Sequence, residues 1–166
     1  KLSKKGLGML FVGREQYIDK LQLFLARPEA EIAVVYGRRR IGKTSLIEHA
    51  ISKFSNSNSS NSKANSKCPE TTILRFEGLE NQSSAKQLEQ FLSQLEDQNI
   101  KVPAKVSSWT KALELVISKK PKSQLIIVID EFQWLANYRN DLISHLKYVW
   151  DKHFSKLPHL KLILCG

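Results

Sequence analysis

Cysteine is scarce in this sequence: Cys68 and Cys165 are the only two in 166 residues, and neither has His or acidic neighbours at metal-ligand spacing. That excludes a disulfide framework, and buried or incidental free thiols are expected instead, as suits a reducing cytoplasm. Long apolar runs are also missing. The cleanest one, Leu125 to Ile129, ends at Asp130 and is far too short to cross a bilayer. Lys1, Lys4 and Lys5 before Leu7–Val12 imitate a secretory leader, but no small-residue cleavage site follows, and that reading is rejected. No internal repeat is present. Acid is short relative to base, with 16 Asp and Glu against 26 Lys and Arg and a formal net charge of +10. The lysines are scattered over almost every segment rather than gathered on one helix face, so nucleic acid is a possible partner but not the favoured one. No membrane partner is expected.

The rest is the composition of a globular domain, 42% hydrophobic and 25% charged. Tyr17, Ile18, Leu21, Phe24 and Leu25 recur at helical spacing, which predicts a helix over Arg14–Ala26 before Pro28. Ile32–Tyr36 reads as a strand, and Thr44–Lys53 as a helix. Residues 55–67 are Ser, Asn and Lys with Ala64 as the one apolar residue, and are expected to form a flexible surface insertion. Thr71–Phe76 reads as a strand. A helix follows with Ser84 and Gln87 as its capping box. Another carries Trp109, Ala112, Leu113 and Val116. Leu125–Ile129 is apolar throughout, as a central parallel strand should be. A helix over Asn140–Phe154 and a strand at Leu160–Leu164 complete the series. Strand–helix alternation predicts an α/β domain with a mainly parallel, doubly wound sheet and helices on both faces. Residues 1–10 read as a tail and 11–166 as the core.

Two motifs carry chemistry. Gly37-Arg38-Arg39-Arg40-Ile41-Gly42-Lys43-Thr44, followed by Ser45, fits the P-loop pattern and stands between a strand and a helix, as that pattern requires. Successive backbone N–H groups of such a loop wrap a β-phosphate, while the helix N-terminus faces the same anion. Lys43 is expected to neutralise the β- and γ-phosphates, and the Thr44 hydroxyl to ligate Mg²⁺. Arg38, Arg39 and Arg40 are expected to act through their backbone, with side chains toward solvent or a partner and none of them catalytic. Many P-loops have glycine where Arg40 stands.

The second motif is the apolar strand that ends in Asp130-Glu131. Two acids at the end of a buried strand are costly unless a cation meets them. Asp130 is therefore expected to position Mg²⁺ beside Thr44, and Glu131 to polarise the water that attacks the γ-phosphate. A kinase would avoid such a water activator. The guanine-reading Asn-Lys-x-Asp segment is absent, so ATP is the expected nucleotide by elimination.

Phe11-Val12-Gly13-Arg14-Glu15, Tyr36–Thr44, Ile129–Leu135 and Leu160–Gly166 resemble the archaeal-type ATPases, in the STAND branch of P-loop proteins close to the AAA+ group. The resemblance implies that Leu160–Leu164 lies between the P-loop strand and the Asp130 strand, and that Val12, Gly13 and Arg14 lie near the adenine. It also implies a polar γ-phosphate sensor after Gly166, then a further strand and a lid. The 166 residues accordingly read as a P-loop core incomplete at its C-terminus and poorly active alone. Arg75 and Arg139 are the arginines that could act between subunits. The leading expectation is an Mg-dependent ATPase, with Lys43 and Glu131 catalytic and hydrolysis driving a conformational switch. It binds ATP or ADP, with a protein partner or a second copy possible. The alternative is a nucleotide-gated regulatory or DNA-associated module with negligible turnover.

Overall fold

The computed structural model describes residues 14–60, 71–118, 124–136 and 142–166, with the side chains of residues 58–60 left out of the description. Four strands, β1 (Glu31–Val35), β2 (Thr72–Glu77), β3 (Leu125–Asp130) and β4 (Leu160–Cys165), form one sheet in the order β1-β4-β3-β2. Every neighbouring pair is parallel. The last strand in sequence thus lies between the P-loop strand and the Asp130 strand, as the resemblance implied. Among the described residues six α-helices connect and cover the strands: α1 (Glu15–Ala26), α2 (Lys43–Ser60), α3 (Ser84–Asp97), α4 (Trp109–Val116), α5 (Phe132–Leu135) and α6 (Leu142–Lys152).

Alternation along the two central strands divides the core. Leu125, Ile127 and Ile129 of β3, with Leu160, Leu162 and Leu164 of β4, face α3, α4 and α6. Ile126, Val128, Ile163 and Cys165 face Leu25 of α1 and Ile47 and Ile51 of α2. Both faces are covered, which is why β3 reads as an unbroken apolar run. Ile18, Leu21, Leu46 and Ala50 seal α1 to α2.

Four local expectations are corrected. The helix expected to stop at Lys53 continues to Ser60, covering the first part of the Ser/Asn-rich stretch; residues 61–67 lie outside the described residues. Phe54 packs on the core and Ser57 Oγ donates to Lys53 O at 2.8 Å, and extending an existing helix costs far less than starting one. The N-cap of α3 is Ser83, whose side chain accepts from the Lys86 N–H, rather than Ser84. Gln87 does not reach back to the cap. It is buried and spans Leu79, accepting from its N–H at 3.0 Å and donating to its carbonyl at 2.6 Å. Finally, α6 ends at Lys152 and gives way to a 3₁₀ turn at Phe154–Lys156, and the short helix α5 was not expected at all. No helix among the described residues is long and apolar enough to cross a membrane.

Candidate functional site

In an open parallel sheet the loops at the carboxyl ends of the strands gather on one side. Here β1, β3 and β4 deliver to that side the loop 36–42, the acids Asp130 and Glu131, and Gly166. The ends are tied together: Gly166 N–H donates to Val35 O at 3.0 Å, and Gly37 N–H to Gly166 O at 3.2 Å.

Gly42 takes φ 78°, a conformation glycine adopts without strain, and thereby turns the loop into the first residue of α2. Arg40 takes φ 64°, so the position where the sequence carries arginine is one that favours glycine. Lys43 folds over the loop, its ammonium donating to Gly37 O at 3.1 Å and Arg38 O at 3.2 Å. Its charge thus lies over the carbonyls that open the loop.

Across the sheet, 86 positions away in sequence, Thr44 Oγ1 donates to Asp130 Oδ2 at 2.6 Å. The other oxygen, Asp130 Oδ1, accepts from the Glu131 N–H at 2.8 Å. Glu131 itself sits at φ 50°, a left-handed turn that a non-glycine residue adopts only when its surroundings enforce it. Gly78 belongs to that enforcement. A Cβ there would come within 2.7 Å of Glu131 O, and its N–H donates to Asp130 O at 3.0 Å. A cleft of about 780 Å³ opens beside these acids, lined also by Glu48, Arg75 and Glu77.

A hydroxyl and a carboxylate oxygen in contact are hard donors of the kind Mg²⁺ takes, usually one or two from protein with phosphate and water completing the shell. No group of three or more His, Cys, Asp or Glu gathers for a metal among the described residues, and this mode of binding needs none. Thr44 and Asp130 therefore fit the ion.

A family model for an ATPase domain predominantly from Archaea matches residues 11–166. The chain belongs to that family of archaeal ATPase domains. No curated protein matches it. Among the solved structures that share its fold are two larger proteins. One is Drosophila ORC bound to DNA, at 18% identity and TM-score 0.65, covering 98% of this chain and 40% of that one. The other is a Walker-type ATPase of Pyrococcus abyssi, at 17% identity and TM-score 0.53, covering 92% and 44%. The chain therefore spans less than half the length of either.

Of the other expected site residues of the ATPase domain, Arg14, Arg38, Arg39, Arg40, Ile41 and Ser45 are described. Arg14, the N-cap of α1, donates from Nη1 to Gly42 O at 3.4 Å, which ties the start of α1 to the loop. Val12 and Gly13 lie outside the described residues. Arg38, Arg40 and Ser45 are exposed, and Ile41 turns its side chain back toward Gly37.

Arg39 is exposed as well; it pairs with Glu80 at 3.2 Å, and its guanidinium lies 5.7 Å from the centre of the Trp134 ring. Hydrogen bonding to Glu80 raises its pKa further above the ordinary arginine value. Arg75 is engaged as well, by a bidentate pair with Glu48 at 2.7 Å to each carboxylate oxygen. Arg139 lies outside the described residues. Cys165 is fully buried, and burial first, then Asp130, pushes its thiol up to about 12, so it stays protonated beside the site. Cys68 lies outside the described residues.

Sequence reasoning missed Gln133. Its carboxamide donates to the Glu131 carboxylate. Only the short helix α5, which follows the left-handed turn at Glu131, brings the two side chains together.

Proposed function

We infer that this domain binds ATP with Mg²⁺ and hydrolyses the γ-phosphate, and that the cycle drives a conformational switch. One observation carries the reading: the Thr44 hydroxyl and the Asp130 carboxylate meet at 2.6 Å, directly after the loop and directly before Glu131. Backbone N–H groups of 37–45 cradle the phosphates, and Lys43 neutralises the β- and γ-oxygens. Arg14, with Val12 and Gly13, borders the adenine. Thr44 and Asp130 hold Mg²⁺, which when bound spreads the charge developing on the phosphate oxygens. Glu131 takes a proton from water as the water oxygen bonds to phosphorus. The bridging P–O bond breaks, and its electron pair leaves on ADP.

In the full-length protein, Glu131→Gln should keep ATP affinity and lose about two or more decades of hydrolysis rate, the scale of a general base. An unchanged rate would move that role to another group.

The net charge of +10 favours a second reading, a DNA-associated module. The ORC neighbour was solved bound to DNA. DNA affinity that falls steeply with salt, together with DNA-stimulated hydrolysis, would support it. The buried free thiol of Cys165 suits a cytoplasmic setting.

A further inference from the structure

Glu131 is held at three points. Its backbone is fixed in the left-handed turn, with Trp134 N–H donating to Glu131 O at 3.0 Å, and its own N–H is taken by Asp130. Its side chain is held by Gln133, whose Nε2 donates to Glu131 Oε2. The far side of the same carboxamide abuts the end of β4: a Cβ on Gly166 would lie 2.7 Å from Gln133 Oε1. Gln133 therefore bridges the ends of β3 and β4 at the point where the acid leaves the sheet.

We propose that Gln133 is a positioning residue for hydrolysis. It fixes one oxygen of the Glu131 carboxylate so that the other, Oε1, faces the attacking water. This rests on the reading of Glu131 given above. A glutamate side chain has three rotatable bonds, and a free one spends most of its time in rotamers that do not reach the water. A carboxamide donor on one oxygen removes that freedom while leaving the second to accept a proton. Misplacement of a reacting group by about 1 Å costs up to roughly a hundredfold in rate.

The test uses the full-length protein and five variants. Gln133→Ala should lower kcat about ten- to a hundredfold, with KM, affinity for a fluorescent ATP analogue and melting temperature unchanged. Gln133 is exposed, so its truncation spares the core. Gln133→Glu, of the same shape but without the donor, should be no better than alanine. In the double variant Glu131→Gln with Gln133→Ala, the second change should cost nothing further, because the two residues act as a unit. Independently of turnover, the side-chain amide resonance of Gln133 in ¹⁵N-labelled protein should move when Glu131 is replaced by alanine. A wild-type kcat in Gln133→Ala, losses that multiply in the double variant, or an unmoved amide resonance would each overturn the inference while leaving Glu131 in its role. A wild-type rate in Glu131→Gln would instead remove the general base, and the positioning role would fall with it.

Discussion

Lys161 is a charged residue buried within this sheet. It sits in the central strand β4 with its side chain fully buried, far along the strand from the phosphate loop. Its ammonium donates to Glu29 O at 2.8 Å and Glu31 Oε2 at 2.9 Å and lies 5.0 Å from the centre of the Phe24 ring. A buried charge that loses its partner costs about 3 kcal/mol or more, whereas replacing the charge by an apolar group of similar volume is often neutral. Glu31→Ala should therefore destabilise by about 3 kcal/mol in urea unfolding, while Lys161→Met should change stability far less. The pH dependence has a definite sign. Hydrogen bonding to Lys161, then to Arg27, holds the Glu31 carboxyl below its ordinary value of 4.5. Its contribution is thus full at neutral pH and above that value, and is lost as pH falls through the lower folded value. The gap between wild type and Glu31→Ala should close in acid. A gap that widened there would show that the pair is not what stabilises this end of the sheet.

At the scale of elements, α3 does for the edge strand β2 what another strand would do. Odd-numbered residues of β2 turn their backbone groups away from β3. Gln98 accepts from Arg75 N–H at 2.7 Å and donates to Arg75 O at 2.8 Å. Gln94 does the same for Glu77 at 3.0 and 3.3 Å, and buried Gln87 for Leu79. Carboxamides of α3 and its C-cap Gln98 thus occupy alternate positions of the edge strand and of the residues just after it, an edge that would otherwise be open to pairing with another chain. Gln98→Leu should cost about 1 to 2 kcal/mol in unfolding experiments and raise light scattering at high concentration. Neither effect would appear if water replaced the carboxamide without penalty. The device also explains what was and was not legible in the sequence. Gln87, Gln94 and Gln98 read only as polar positions, and Gln87 as half of a capping box, because the partner strand is set by sheet order and not by local spacing. The same limit hid the Arg39–Glu80 pair, 41 positions apart, while the Gln133–Glu131 contact was hidden by the local turn at Glu131 that starts α5. The loop 37–44 needed no such knowledge, since its working groups are consecutive. Asp130 was legible because a buried strand has no other reason to end in two acids.

For the whole molecule, alternation of strand and helix was enough to name the layered α/β architecture. The placement of β4 between β1 and β3 came only through the family resemblance. That order has a chemical consequence: it sets the loop after β1 and the acids after β3 on either side of Gly166, so that Thr44 and Asp130 meet. The family assignment supports nucleotide binding, and the proposal made above sets it at the carboxyl edge of this sheet. The most direct measurement is a titration of a fluorescent ATP analogue, with Mg²⁺ present or chelated, into wild type and Lys43→Ala. Lys43 is half-buried and, among the described residues, donates to the loop's own carbonyls, so the variant should keep a wild-type circular dichroism spectrum. The account predicts saturable, Mg-dependent binding to wild type and its loss in Lys43→Ala. Equal affinity in the two proteins would contradict it.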